Sequence, residues 1–270
     1  MAHAVLKAGT PDGKSWVEVR FLEPVLVRVF FPSVFVQVLV QVLVEFLILF
    51  RHCARPIPIT LLNVAVSSRH DWMRAKLLQM DEGSIMTAAK EVRRGSLVVY
   101  PTDTVYGLGC DPLNQAAVRR LFEAKGREAK AVPVLCSTLE KVDELVKLSP
   151  VAMDLASKHW PGALTIVAPL RRAVPPQLTQ GKENLGVRIP AHPGAVELIA
   201  SCGGRLTGTS ANLSGRPSAR TAAEAIDQLG GVVDIIIDGG RTPGTESTVV
   251  QVIGNEVTLL RSGPVGVEPR

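Results

Sequence analysis

Short apolar runs alternate with longer amphipathic stretches from residue 84 to residue 261, and this alternation restricts the fold more than any other feature. The pattern predicts strands at 96–100, 131–136, 163–168, 185–189, 205–208, 233–237, 247–253 and 256–261, with helices between most of them. The last two strands form a predicted hairpin turned at Gly254–Asn255. Interleaved helices and strands that end in a hairpin predict an α/β fold, a twisted mixed sheet with flanking helices.

Helix ends are predicted from residues that favour caps. Ser84, Asn114 and Thr221 are predicted N-caps, since a short polar side chain can accept from the unpaired amides of the first turn. Gly126 and Gly230 are predicted to end the helices that begin at Asn114 and Thr221.

Composition changes abruptly near residues 55–72. Six of the seven phenylalanines precede this point, whereas Gly, Ala, Thr and Asp punctuate the apolar runs after it. We therefore predict an atypical hydrophobic extension at 1–72, non-native or disordered, and a catalytic α/β domain at 73–270.

Residues 34–50, VFVQVLVQVLVEFLILF, contain a four-residue near-repeat and allow three interpretations. One is a membrane helix, against which Gln37, Gln41 and Glu45 argue. Another is an amphipathic segment that docks on the main domain. The third, which we favour, is translation from upstream of a true start at Met73 or Met80. An intact mass of the full chain in protein from its source would contradict the third.

Charge and cysteine content leave most functional classes open. The net charge of +5 over 270 residues permits an anionic ligand or RNA but requires neither. Cys53, Cys110, Cys136 and Cys202 have wide, irregular spacings, which argue against a zinc site or disulfide framework and favour reduced, buried thiols in the cytoplasm. No metal ligands are assigned.

Three polar segments could bind a small anionic ligand. The sequence has no G-x-x-x-x-G-K-[ST] loop and no G-x-G-x-x-G after a strand. It has two loops rich in glycine and hydroxyl groups, 101–109 and 207–215, whose amides could form an anion-binding nest. Lys125, Arg127 and Lys130 could bind phosphate, although cations at a helix C-terminus also compensate the helix dipole.

The segments PTDTVYGLG, EAKGR, WPGALT, VRIPAHP, TSANLSGRPS, IIDGG, ESTVV and LLRSG occur in this order over residues 84–264. In this order they resemble the threonylcarbamoyl-AMP synthase family, built on a YrdC-like domain with a concave basic active-site face. The resemblance implies synthesis of threonylcarbamoyl-AMP and pyrophosphate from L-threonine, bicarbonate and ATP. A separate transferase complex would then deliver the threonylcarbamoyl group to tRNA.

The resemblance also implies roles for individual residues. The family's K-x-R and S-x-N signatures fall on Lys125, Arg127, Ser210 and Asn212, which are the predicted catalytic residues. The predicted threonine contacts, called the threonine set below, are Thr104, Arg188, Gly208 and Ser247. The predicted ATP contacts, called the nucleotide set, are Arg127, Lys130, Asn184, Ser210, Ser218 and Arg261. Mg²⁺ is expected with ATP, and no general base is evident.

Two departures and two rival functions accompany this resemblance. Residues 127–133 differ from the family's usual stretch, so Lys130 is expected to substitute there, and Cys136 replaces a frequent histidine. The chain is expected to lack the C-terminal domain of longer relatives. One rival is a tRNA or double-stranded RNA-binding module without turnover. The other is a carbamoyl-transfer domain of hydrogenase maturation, although no zinc-finger or acylphosphatase module accompanies it. Membrane association is not expected.

Overall fold

The computed structural model describes residues 5–9, 15–20, 26–31, 75–126 and 130–268. The chain divides into two compact units, residues 1–64 and 65–270. The boundary predicted at residues 72–73 lies outside the described residues, as does the apolar segment 34–50, so those interpretations remain predictions. In the part that the structure describes, no helix is long and apolar enough to cross a bilayer.

The first unit contains an antiparallel sheet of three strands. These are β1 (Val5–Gly9), β2 (Ser15–Arg20) and β3 (Leu26–Phe31), with β2 in the centre. Val5 pairs with Arg20, and Ser15 pairs with Phe31. The composition shift that set this region apart gave no prediction of these strands.

The second unit alternates strands and helices. Its strands are β4 (Lys76–Gln79), β5 (Val98–Tyr100), β6 (Gly107–Gly109), β7 (Val134–Cys136), β8 (Leu164–Pro169), β9 (Asn184–Arg188), β10 (Arg205–Thr207), β11 (Thr209–Ser210), β12 (Ile235–Asp238), β13 (Thr248–Ile253) and β14 (Glu256–Arg261). Its helices are α1 (Glu82–Arg93), α2 (Gln115–Lys125), α3 (Leu139–Asp143), α4 (Pro150–His159), α5 (Pro176–Thr179), α6 (Pro193–Ser201) and α7 (Ala222–Leu229).

The strands of this unit form two mixed sheets. The larger has the order β10-β7-β9-β8-β13-β14, and the smaller has the order β11-β6-β5-β12-β4. In the larger sheet β7 runs parallel to β9 and β8 parallel to β13, while the other neighbours are antiparallel. The predicted α/β class with mixed strand direction and flanking helices is confirmed, but the strands are divided between two sheets.

Cap chemistry accounts for most helix boundaries. The Asn114 side chain accepts from the amides of Ala116 and Ala117, and Gly126 ends α2 with φ +74°, as predicted. The predicted cap at Ser84 is wrong, because Asp81 caps α1 and accepts from the Ser84 amide at 2.8 Å. The helix therefore begins about one turn earlier than predicted, and the positive end of its dipole also stabilises the Asp81 carboxylate.

Two hydrophobic clusters stabilise the second unit. One covers both sheets and includes buried residues of α2, α4 and α7, such as Leu121, Ala152 and Ala225. The other packs α1 and α6 against strands of both sheets through residues such as Val92 and Leu198. Burying these apolar faces orders the strand ends from which the polar loops project.

Cysteines contribute to this packing as free thiols. Cys110 and Cys136 are buried, Cys202 is partly buried, and none of these three forms a disulfide. Burial raises the pKa of each of these three thiols to about 12, so they stay protonated at neutral pH. The prediction of reduced, buried thiols holds for Cys110 and Cys136, while Cys53 lies outside the described residues.

Candidate active site

A cavity of about 830 Å³ opens over one face of the larger sheet, beside the segments around β6 and β11 and the end of α2. Its walls come from the segments around β5–β6, β7–β9, β10–β11 and β13–β14. Most of the predicted site residues line it: Thr104, Lys125, Lys130, Asn184, Arg188, Gly208, Ser210, Asn212, Ser247 and Arg261. The sheet topology therefore collects residues separated by more than 150 positions into one site.

The described lining is strongly cationic. It contains Lys125, Lys130, Lys182, Arg188, Arg216 and Arg261, against a single carboxylate, Glu246. In a concave surface bordered by buried apolar groups, such an excess raises the local concentration of anions. The cavity therefore suits a ligand that carries several negative charges.

The Lys125 ammonium joins the end of α2 to the segment after β11. It donates to the Ser210 carbonyl at 2.6 Å and to Asn212 Oδ1 at 3.0 Å. The Ser210 hydroxyl donates to the same Asn212 oxygen at 2.6 Å, and the Asn212 amide donates to the Arg216 carbonyl at 2.6 Å. This network fixes the hydroxyl and cation of the predicted catalytic group within one nearly buried cluster.

Arg188 lies at the end of β9 with only 4% of its surface exposed. Its guanidinium donates to the Gly162 carbonyl at 2.8 Å, to Thr104 Oγ1 at 3.1 Å and to Asp103 Oδ1 at 2.6 Å. Burial lowers the pKa of Arg188, and the neighbouring Asp103 carboxylate opposes this effect. Asp103 does not line the cavity, so it contacts the guanidinium from behind.

Ser247 lies where the predicted threonine and nucleotide sets meet. Its hydroxyl pairs with Thr165 Oγ1 at 2.9 Å and accepts from Arg261 Nη2 at 3.1 Å. Arg261 Nε also donates to the Ser247 carbonyl at 3.0 Å. One guanidinium of the nucleotide set is thereby held against one hydroxyl of the threonine set.

Glu246 precedes Ser247 and binds two members of the nucleotide set. Its carboxylate accepts from the Ser218 hydroxyl at 2.5 Å and forms an ion pair with Arg261. Ser218 does not itself line the cavity, whereas Glu246 does. Burial disfavours the charged carboxylate, but the Ser218 hydrogen bond and the Arg261 charge outweigh it and lower the pKa of Glu246.

Gly208 is required by close packing behind the cavity wall. A Cβ on Gly208 would lie 2.5 Å from Leu135 Cγ, well inside van der Waals contact. Its amide donates to the Pro133 carbonyl at 2.9 Å, which ties the segment after β10 to the segment before β7. A larger residue at 208 would force Leu135, which also lines the cavity, to shift.

Comparison with known proteins gives this cavity a family context. A family model described as telomere recombination, the Sua5/YciO/YrdC domain, matches residues 90–263. The chain belongs to this family. The matched residues include each described lining residue, so the Sua5/YciO/YrdC domain contains the whole described cavity.

Named relatives confirm the resemblance to threonylcarbamoyl-AMP synthases. The chain is 40% identical over 193 residues to the Pyrococcus abyssi threonylcarbamoyl-AMP synthase, covering 70% of this chain and 57% of that protein. It is 42% identical over 159 residues to the Thiobacillus denitrificans threonylcarbamoyl-AMP synthase, covering 57% of this chain and 85% of that protein.

A solved structure of P. abyssi Sua5 complexed with L-threonine matches with a TM-score of 0.66 at 40% identity. That match covers 70% of this chain and 57% of the P. abyssi chain. This chain thus spans little more than half the length of its P. abyssi relative.

The region that departs from the family pattern is placed in part. Arg127 lies outside the described residues, so its predicted role stays a prediction, while Lys130 and Ala131 line the cavity. Cys136 is fully buried in the hydrophobic core and lines no part of the cavity. Its thiol therefore cannot replace the ligand contact expected of a histidine at this position.

Sequence reasoning assigned no role to several polar residues that line the cavity or hold its lining, among them Thr102, Asp103, Thr165, Lys182 and Glu246. Asp103 and Glu246 stand directly beside the predicted contacts Thr104 and Ser247. A carboxylate next to a predicted ligand contact was the available signal. Within the described residues, no group of three or more His, Cys, Asp or Glu side chains could hold a metal ion.

Proposed function

We propose that this chain is an L-threonylcarbamoyladenylate synthase, a nucleotidyltransferase that uses L-threonine, bicarbonate and ATP. The observation that carries this proposal is the contact between the threonine and nucleotide sets, with Arg261 donating to Ser247 at 3.1 Å. The reaction must bring threonine's nitrogen substituent to the α-phosphorus, so both substrates have to bind in adjacent parts of one cavity.

The proposed chemistry balances without a covalent enzyme intermediate. Bicarbonate takes up a proton and loses water to give CO₂, and the threonine amine attacks the carbon of that CO₂. The amine then loses a proton, which balances the one taken up, and a carbamate remains. A carbamate oxygen then attacks the α-phosphorus, and the bond from phosphorus to the bridging oxygen breaks. Pyrophosphate leaves with that electron pair, and threonylcarbamoyl-AMP remains.

The residues of the chain would act by position and charge. The guanidinium of Arg188, held by Asp103 and Thr104, would bind the threonine carboxylate. Lys125 and Arg261 would stabilise charge that develops on phosphoryl oxygens, and the Ser210 hydroxyl, which donates to Asn212 Oδ1 here, would turn to the nucleotide. Mg²⁺ would enter with ATP, since the described lining offers one carboxylate and that group is already hydrogen-bonded.

The product would pass to a threonylcarbamoyl-transferase complex that modifies tRNA, and the reaction would take place in the cytoplasm. The L-threonine complex of the P. abyssi relative supports threonine as substrate. Binding of tRNA or double-stranded RNA to this chain remains a prediction from its mild positive charge.

A three-substrate assay tests the proposal. Pyrophosphate release is measured with all substrates and with each omitted, and the adenylate is identified by mass spectrometry. Release that needs threonine, bicarbonate and ATP is expected. Release that continues without threonine or bicarbonate would refute it, and RNA binding without turnover would favour the RNA-binding alternative.

Two variants test which substrate each arginine binds. Arg188→Ala is expected to raise KM for threonine more than KM for ATP, and Arg127→Ala is expected to do the reverse. Arg171→Ala is the control, because Arg171 lies outside the cavity in an exposed ion pair with Asp143. Equal losses on both substrates in both variants would contradict this division.

A further inference from the structure

The Glu246 carboxylate lies among side chains that are predicted to bind ATP. It is the one carboxylate in the described lining of the cavity, and about a third of its side chain is exposed. Ser218 donates to one of its oxygens at 2.5 Å, and Arg261 pairs with the other. Both donors belong to the nucleotide set. A fixed anion therefore occupies Arg261, which a phosphate in the cavity would also use, and stands between the cavity and Ser218.

Catalysis of proton transfer is a poor explanation for this carboxylate. The lowered pKa of Glu246 keeps it ionised at neutral pH and makes it a weak base, far from the value that suits a general base. A purely structural role for the ion pair does not explain why both Glu246 and Arg261 line the cavity.

A fixed negative charge has two opposing effects on phosphate binding. It orders Ser218 and Arg261 before the ligand arrives, which reduces the entropy lost on binding. It also repels a polyphosphate and competes for the same donors. Arg261 also donates to the carbonyl and hydroxyl of Ser247, so its guanidinium stays in place when the contact with Glu246 is released.

We propose that Glu246 holds Ser218 and Arg261 before the nucleotide binds and gives them up to its phosphates. When Glu246 recovers these two donors, it promotes release of pyrophosphate. This inference rests on the proposed function, because it needs a nucleotide in this cavity. Glu246 is a positioning residue that acts through its two donors.

Binding of inorganic pyrophosphate, measured by calorimetry, tests the sign of the effect. Glu246→Gln is expected to bind pyrophosphate about fivefold or more tightly than wild type, the lower limit for removing a unit charge roughly 4 Å away in a bulk-water dielectric. Glu246→Ala is expected to tighten pyrophosphate binding as well. Because alanine adds no hydrogen-bond donor, this result would assign the gain to the lost repulsion and not to the glutamine amide. Glu246→Asp, which keeps the charge, is expected to stay near wild type.

Two controls accompany these variants. Glu144→Gln removes another glutamate that pairs with an arginine, Arg205, but Glu144 is outside the cavity, so pyrophosphate affinity should not change. Adenosine carries no phosphate, so its affinity should be the same for Glu246→Gln and wild type. A structural loss at position 246 would instead weaken both ligands.

The outcomes separate this inference from the proposed function. Wild-type turnover with unchanged or weaker pyrophosphate binding in Glu246→Gln would overturn the inference and leave the synthase assignment intact. Tightening in Glu246→Gln without tightening in Glu246→Ala would also overturn it, since an amide donor would then explain the gain. Absence of both ATP and pyrophosphate binding to wild type would overturn the two proposals together.

Discussion

Removal of the Asp103 carboxylate should destabilise the fold through Arg188. Arg188 is 4% exposed, and its Nη2 donates to Asp103 Oδ1 at 2.6 Å. Breaking a buried ion pair from one side costs roughly 3–5 kcal/mol, because the remaining charge is left in a poorly solvated place. Thr104 and the Gly162 carbonyl still accept from the guanidinium, so Asp103→Ala should cost about 3 kcal/mol, the low end of that range.

Urea unfolding measures this cost. With a slope of about 2 kcal/mol per molar urea, a loss near 3 kcal/mol lowers the midpoint by about 1.5 M. Asp143→Ala is the matched control, since its pair with Arg171 is exposed at both ends and is worth about 0–1 kcal/mol.

A double variant tests the physical reason for the loss. Asp103→Ala combined with Arg188→Met removes both charges and should cost about 1–2 kcal/mol, mainly for the Gly162 carbonyl that loses its donor. The double variant should therefore be more stable than Asp103→Ala alone. If the single variant loses less than about 1 kcal/mol, or the double loses more than the single, a buried charge is not what Asp103 compensates.

Three further outcomes are expected. Lys125→Met should lower kcat for ATP-dependent pyrophosphate release by about 10²-fold or more, since one preorganised donor to developing charge is lost; a change under tenfold would exclude that role. Gly208→Ala should destabilise the fold by about 1–3 kcal/mol in thermal unfolding, because its Cβ would lie 2.5 Å from Leu135 Cγ, and a melting temperature equal to wild type would show that Leu135 moves freely. The lowered pKa of Glu246 contributes stability that is present above its unfolded pKa of about 4.3 and is lost as pH falls through the lower folded value. Glu246→Gln should therefore show a flatter acid-unfolding profile below about pH 4.3, and identical profiles would contradict this linkage.

The sequence predicted elements well where local physics decides them. Asn114 and Gly126 bound α2 because capping depends on a few adjacent residues, and the hairpin at Gly254–Asn255 joins β13 and β14 because its turn is local. Ser84 was a poor choice of cap because Asp81, three residues earlier, bonds the Ser84 amide. Strands β6 and β11 were predicted as loops, because two- and three-residue strands in glycine-rich segments form only when a distant partner pairs with them.

In the candidate site, too, some features could be predicted from the sequence and others depend on the folded structure. Thr104, Arg188, Ser210 and Ser247 were predicted from ordered family segments, and the structure brings them to one cavity. The role of Asp103 behind Arg188 depends on which side of a guanidinium faces the cavity. Sequence spacing carries no information on that direction, so adjacency to Thr104 could mark Asp103 as a candidate but could not give its role.

The short strand β6 limits how the two polar loops can vary in length. Gly107 pairs with Tyr100 on one side and with Ser210 on the other, and the Ala211 amide donates to the Tyr106 carbonyl. Insertion of one residue between Thr104 and Gly107 would shift this register and turn alternate side chains to the opposite face. The two polar loops, about 100 positions apart in the sequence, are therefore joined through the pairing of β6 with β11, and a change of length in one is expected to displace the other.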